Sequence, residues 1–573
     1  MSRHLRMIWA GVALCLMPLA CDHQQKKKGE MVSGTADPLV GSKAFRDTIA
    51  EVASVEGLRG MRVRGYGLVA GLGTRGSKEC PPNVRRRLLQ EMYKMEQFAK
   101  AGTDALPITP EQIIDDPDTA VVSVEGEIPG AASAGERFDL TVRALPGTQT
   151  ISLEGGRLYD CDLRIQQERE GGDIEGQVLA AGAGPVFINP WSKTESAATR
   201  TDPRMGTILG GGTVKQDRRV RLALVRPSYR LANAIANGIN TRFPRQDKVA
   251  DAQSAAYVKL RIPPAYADDP LHFLEVVRHL YLPTAPGFLD RRAVELADEI
   301  LDPAAAHLDI VLAFEGIGRT TLPRLQKLYS DPRDHVSFHA ALAGLRLEDS
   351  AAVQPLAAHA FNARSRYRMA AVQALAQAQD LYRALTILRT LLDDPDPRIR
   401  VRAYEGLLKH GDDTVMSTIV GGDNFVLDVV RSTGEKLIHA KRTGERRIAL
   451  FGNRIRCVPP LFFCDEEGML TITAEEGDEK LTLLRKTPYS NRGSPPIPAS
   501  FDVAELVPML GDDPMVESGE LVRGLGVPYS LVVKTLADLC RAGAVNADFR
   551  LEQTTVPEIF GPLRETGREE SDL

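Results

Sequence analysis

The segment Gly65-Tyr66-Gly67-Leu68-Val69-Ala70-Gly71-Leu72-Gly73 decides how this 573-residue chain is read. Four glycines in nine residues look at first like a phosphate-cradling loop. No Lys-Ser/Thr pair follows, and no βαβ unit with a ribose-binding acid surrounds it. The glycines are therefore read as tight turns and close backbone approaches.

Working outward, residues 43–283 combine helix and strand signals. Alternating or β-branched runs predict strands at Val121–Glu125, Arg137–Val142, Thr150–Leu153, Arg218–Leu224 and Tyr257–Ile262. Helical spacing covers Asn83–Lys100 and Ser228–Phe243, where Leu231, Ile235 and Ile239 share a face. Residues 284–417 change character: strand signals vanish and Ala/Leu-rich helices alternate with Asp, Pro and Gly breaks. The pairs Ala341/Leu345, Ala371/Leu375 and Ala403/Leu407 recur at about 30-residue steps. The last copy, LLDDPDPRIRVRAYEGLLKHGD, resembles a HEAT repeat, which implies a solenoid; a plain helical bundle is the alternative. Strands return in 418–553 at Phe425–Val430, Leu437–Ala440, Arg447–Phe451, Ile455–Val458 and Met469–Ala474. Helices follow at Val503–Leu510 and Tyr529–Ala542, with a closing strand Val545–Leu551. The fold class expected is α+β, a multi-domain mixed α/β fold interrupted by an all-α solenoid.

The composition excludes several functions. Lys plus Arg is 71 against Asp plus Glu 76, so the chain lacks the basic field of a general nucleic-acid binder. Aromatic residues make up 6% and offer few stacking platforms. Arg3, His4 and Arg6 precede an uncharged run from Met7 to Ala20, a secretory signal in residues 1–21. Cys21 stands where a bacterial lipoprotein would carry lipid, the alternative being plain cleavage nearby. Residues 22–42 read as a tether and 554–573 as a disordered tail. Export leaves Cys80, Cys161, Cys457, Cys464 and Cys540; Cys457 and Cys464 could bridge a hairpin or remain buried thiols. No zinc-type spacing accompanies them, and no metal or cofactor is expected. Asp160, Asp162 and Asp173 could be raised as acid/base pairs, but no nucleophile motif joins them, so no catalytic residue is expected. His272, His279, His307, His335, His339 and His359 lie in helical stretches and default to core or surface roles.

Taken in order, these segments resemble the flagellar P-ring protein family. The likeness runs from Ile49-Ala50-Glu51-Val52-Ala53-Ser54-Val55-Glu56-Gly57 into the core residues Gly65, Tyr66, Gly67, Leu68, Val69, Gly71 and Leu72. It continues through Gly206–Gly212, the helix Pro227–Phe243 and Val258–Pro264. After the helical insertion it resumes in the hairpin motif Arg442, Thr443, Gly444, Gly452 and Asn453, then in Leu521–Ala547. The resemblance implies a non-enzymatic subunit of a periplasmic ring around the flagellar rod at the peptidoglycan layer. Implied partners are further copies of itself, flagellar rod and L-ring proteins and peptidoglycan, with an unidentified protein for the helical repeats and no nucleic acid. Lipidation at Cys21 would anchor it to the outer or inner membrane. The alternative is an envelope lipoprotein scaffold that reuses the fold away from the flagellum.

Overall fold

The computed structural model describes residues 45–99, 109–167, 174–189, 202–244, 247–282, 285–378, 382–465, 468–486, 495–517 and 520–552. The signal segment with Cys21, the tether, the C-terminal tail and Asp173 lie outside the described residues. The chain is α+β, as its segments predict, and its described residues form four packed units.

The first unit begins with helix α1 (Ile49–Val52) and strand β1 (Ala53–Glu56), then β2 (Met61–Ala70), α2 (Pro82–Ala99) and α3 (Pro110–Ile114). It continues through β3 (Ala120–Ile128), β4 (Arg137–Ala144), β5 (Arg157–Gln167), β6 (Ile174–Pro185) and β7 (Met205–Val214). Six of these strands close into a barrel in the order β2-β3-β4-β7-β6-β5. Alternation fills it: Val63 and Val69 of β2, Val122 and Val124 of β3, and Leu140 and Val142 of β4 share one buried core. Leu68 faces the other way and packs with Val84, Leu88 and Ile114 under α2 and α3. The start of α3 is fixed by a capping box, in which Thr109 and Gln112 each accept the other's backbone N–H. The expected strand Thr150–Leu153 does not form. Its amides instead bond singly to distant carbonyls, Ile151 to Arg75 and Leu153 to Pro203, which holds the segment as a coil with Leu153 buried and the Ile151 side chain exposed.

The second unit adds β8 (Val220–Leu224), α4 (Tyr229–Arg242), β9 (Ala250–Ala252), β10 (Tyr257–Leu260) and α5 (Pro270–Arg278). Its sheet runs β1-β8-β10-β9, so the chain's first strand completes a sheet built mainly after the barrel. Ile235 and Ile239 on α4 are buried with Leu222, Val258 and Phe273, and Leu231 packs at the margin. Ser228 caps α4 by accepting the Leu231 N–H.

The third unit is helical throughout: α6 (Phe288–Glu299), α7 (His307–Ile317), α8 (Leu322–Leu328), α9 (Asp334–Arg346), α10 (Val353–Phe361), α11 (Arg368–Gln377), α12 (Tyr382–Leu391) and α13 (Pro397–Lys409). Helices α7, α9, α11 and α13 pack in one row, each also touching members of the second row, α6, α8, α10 and α12. Ala341, Ala371 and Ala403 fall on successive helices of the first row, all fully buried. Small residues set the spacing: a Cβ on Gly406 would come within 2.6 Å of Ala376 Cβ.

The fourth unit comprises β11 (Val415–Val420), β12 (Phe425–Val430), β13 (Leu437–Ala440), β14 (Arg447–Phe451), β15 (Leu461–Cys464), β16 (Leu470–Ala474), β17 (Leu481–Arg485) and β18 (Ile497–Ala499). It ends with α14 (Val503–Gly511), β19 (Met515–Glu517), β20 (Glu520–Arg523), α15 (Tyr529–Arg541) and β21 (Asp548–Leu551). Its main sheet runs β11-β12-β14-β13-β21 and a second runs β15-β16-β17-β18. One face of the main sheet, with Val430, Leu437, Ala449 and Phe451, belongs to the core of the helical unit. The opposite face, with Leu427, Ile438, Ile448 and Leu450, packs on α14 and α15. Ile455–Val458, expected as a strand, contributes only isolated bridges of Arg456 to Asp502 and Cys457 to Val545. Among the described residues no helix is long and apolar enough to cross a membrane.

Candidate functional site

The glycine-rich segment forms β2 and the turn that leaves it. Gly65 and Gly67 sit where β2 meets β5. A Cβ on Gly65 would lie 2.4 Å from the Asp162 carbonyl oxygen, and one on Gly67 would lie 2.6 Å from Leu158 Cδ1. A larger residue at Gly65 would push the two strands apart, whereas one at Gly67 would displace the Leu158 side chain. Tyr66 points outward, with the Arg87 guanidinium 5.6 Å from its ring centroid. Val69 and Leu72 are fully buried in the barrel core. Gly71 and Gly73 have positive φ, and their N–H groups donate to the Asp118 carboxylate at 3.2 and 2.6 Å. An acid 45 residues away thus fixes the turn that leaves the segment.

The hairpin motif lies against the barrel through one carboxylate. Asp139, on the outer side of β4, accepts the Gly210 N–H of β7 at 2.6 Å and the Gly444 N–H at 3.1 Å. Two glycine blocks more than 230 residues apart in sequence therefore meet at one side chain. Arg442 and Thr443 donate their backbone N–H groups to Glu552, so the last described residue ties the same turn. Gly452 has a positive φ and packs on Lys436, while Asn453 is exposed.

Around this junction Arg446 donates to the carbonyl oxygens of Asn424, Leu209 and Asp423, stitching the fourth unit to β7. The Asn424 amide donates to the carbonyls of Gly511 and Val527, and its oxygen accepts the Tyr529 N–H. Tyr529 is buried, which pushes its phenol up and keeps it neutral beside the Lys441 and Arg447 carbonyls. A cleft of about 270 Å³ opens between the barrel and the fourth unit, with Arg157 and Asp423 paired across it. Asp139, Asn424 and Arg446 were not singled out from the sequence. Asp139 and Asn424 stand out from no pattern and Arg446 sits between two other charged residues, Glu445 and Arg447; the role of each exists only after two distant segments meet.

The remaining candidates separate. Cys457 and Cys464 form no bridge: both are free thiols, Cys457 buried and Cys464 exposed. Cys457 turns into the core beside Val545, whereas Cys464 sits on β15, where its sulfur accepts from the Thr471 hydroxyl. Burial pushes the Cys457 thiol up to about 12, which keeps it protonated and inert. Asp162 is held by Lys215 at 2.8 Å and Arg164 at 3.5 Å, and Asp160 is exposed. Three histidines do come together: the His307 ring stacks on His339 at 4.6 Å between centroids and meets His335 edge-on at 5.1 Å. Among the described residues no three His, Cys, Asp or Glu side chains are arranged to hold a metal ion.

A family model described as "Flagellar P-ring protein" matches residues 48–286, which hold the barrel and the second unit. Proteins named flagellar P-ring protein are similar over the same amount of chain. The one from Aquifex aeolicus is 28% identical over 253 residues, covering 43% of this chain and 64% of its own length. That of Caulobacter vibrioides is 26% identical over 265 residues, with 44% and 65% covered. That of Anaeromyxobacter dehalogenans is 30% identical over 241 residues, with 40% and 59% covered. The chain spans less than two thirds of the length of each of these relatives. Over residues 48–286 the chain is therefore similar to the flagellar P-ring protein family, the likeness that the Gly65–Gly73 segment implies.

Proposed function

We propose that the chain is a structural subunit of the P-ring type, exported to the periplasm and assembled as a ring around the flagellar rod at the peptidoglycan layer. One observation carries the reading: the matched residues 48–286 hold the barrel core and all of the second unit's core but Leu312, and the Gly444 hairpin is bonded to the barrel through Asp139. On this reading residues 418–553 are the second part of the same ring-building fold, interrupted by 284–417. The subunit would contact other copies of itself, rod and L-ring proteins and peptidoglycan, and would perform no catalysis. Ring formation needs different patches on each copy that meet head to tail and close by rotation. Electron microscopy of the purified mature chain should show many-fold rings; single particles of one copy at all concentrations would sink the proposal.

A second reading is a non-flagellar envelope lipoprotein scaffold, anchored through Cys21 and using the helical repeats as a binding surface. It is favoured by the size of the helical unit, eight α-helices among the described residues between Phe288 and Lys409. Deleting the gene separates the two: lost motility with basal bodies lacking the ring supports the first, and a fully motile mutant supports the second. Mass spectrometry of the mature N-terminus tests lipid on Cys21.

A further inference from the structure

Resting on the ring reading, we infer that two strand edges of the fourth unit that no described residue shields, β11 and β15, join neighbouring copies by pairing with each other. A sheet edge offers a row of unpaired N–H and C=O groups, and proteins blunt such edges with charge, proline or cover. Among the described residues the other open-sheet edges carry such a guard. β21 has Asp548 and Arg550, β9 has Asp251, β1 ends on Glu56, β18 contains Pro498, and the β19–β20 ribbon has Glu517, Glu520 and Arg523. The barrel has no edge.

β11 and β15 are the exceptions. β11, Val-Met-Ser-Thr-Ile-Val, holds neither charge nor proline and pairs only with β12. Four successive residues, Met416 to Thr418 and Ile419, are exposed, so solvent reaches both faces of the strand. β15, Leu-Phe-Phe-Cys, is uncharged between Pro460 and Asp465, which flank it, and pairs only with β16, with Phe462 76% exposed. An edge-to-edge ladder supplies the missing backbone hydrogen bonds, and the apolar side chains flanking it supply burial. The occupant is a second copy of this chain, because each copy carries both edges and neither edge has a charge by which an unlike partner would be selected. The two edges are different, so the contact is heterologous and propagates instead of stopping at a two-fold pair.

The test uses the full exported chain and two variants, Met416→Lys/Ile419→Lys on one edge and Phe462→Lys on the other. All three substituted side chains are exposed, Ile419 by 68%, so the fold is kept and circular dichroism melts should superimpose. Sedimentation velocity should show large assemblies for the unaltered chain and single copies for either variant. An equimolar mixture of the two variants retains one good β11 and one good β15, so it should give dimers and nothing larger. Variants that assemble like the unaltered chain overturn this inference and leave the ring reading standing. Dimers in either variant alone overturn the head-to-tail pairing. An unaltered chain that never assembles overturns the ring reading itself.

Discussion

The helical unit is joined to the rest of the molecule at two ends, and the two joints are built to different standards. At the rear, fully buried Asp428 of β12 accepts from Tyr404 Oη of α13 at 2.5 Å, from Ser417 Oγ at 2.5 Å and from Arg447 at 2.8 and 2.9 Å. Burial, then the carboxylate, pushes the Tyr404 phenol up, so it remains a donor. At the front, buried Glu315 of α7 has one oxygen 2.9 Å from His272 Nε2 and 3.5 Å from the Tyr266 hydroxyl. Its other oxygen makes no hydrogen bond and lies 3.9 Å from Arg346. A carboxylate with every lone pair engaged offsets its desolvation; one left half-engaged does so incompletely. The rear carboxylate is the fully engaged one; the front joint adds the Arg242 guanidinium on the Glu315 carbonyl at 2.7 and 3.0 Å and buried His279 against Asp309 at 3.2 Å.

Removing Asp428 gives the largest effect. Asp428→Ala leaves the Tyr404 hydroxyl buried without its acceptor and Arg447 with Glu445 as its remaining carboxylate, and should cost about 3 kcal/mol. Hydrogen exchange of the α13 amides reads it directly; protection unchanged from the native chain would remove the distinction between the joints.

Acid should act next, between the joints. Burial pushes His339 down to about 3, with His307 and His335 adding repulsion, and burial also lowers His307. A histidine held below its ordinary value stabilises the fold at and above about pH 6.5, and that contribution is lost as pH falls toward 3. The helical unit should lose a few kcal/mol over that window, seen as a falling melting temperature from pH 7 to pH 4. His339→Asn keeps a side-chain donor near the His335 carbonyl and should flatten the curve; a slope of the opposite sign would refute the cluster's role.

Glu315→Gln sharpens the contrast. The amide keeps an acceptor for His272 and removes a charge that is only partly compensated, so the change should stay within about 1 kcal/mol. A loss as large as that of Asp428→Ala would erase the contrast between the two joints. Arg157→Ala gives the baseline, since Arg157 and Asp423 are each at least half exposed and such pairs contribute about 0–1 kcal/mol.

The parts legible in the sequence are those whose signal is local. Phe425–Val430, Leu437–Ala440 and Arg447–Phe451 are β-branched or apolar runs that form strands with those bounds. The spacing of about 30 residues between Ala341, Ala371 and Ala403 marks every second helix, α9, α11 and α13, because each helix pair packs mainly on the pair next to it in the chain. Barrel closure was not legible. β5, Arg-Leu-Tyr-Asp-Cys-Asp-Leu-Arg, alternates weakly, and β6 buries Ala180 and glycines in place of large apolar residues. Their strand character comes from neighbours far away in the chain. Asp139 and Asp428 look like ordinary strand carboxylates until their donors arrive from other units.

Asp139 has a consequence for how the molecule carries force. The barrel holds the second unit through Arg218, whose guanidinium bonds the Arg59, Ile128 and Pro129 carbonyls. The second unit holds the helices at Glu315, the helices hold the fourth unit at Asp428, and Asp139 returns the fourth unit to the barrel. The four units are linked in a circuit, like the members of a braced truss. No member of such a frame swings without opening a second joint, so a shear applied at the barrel is shared by all four.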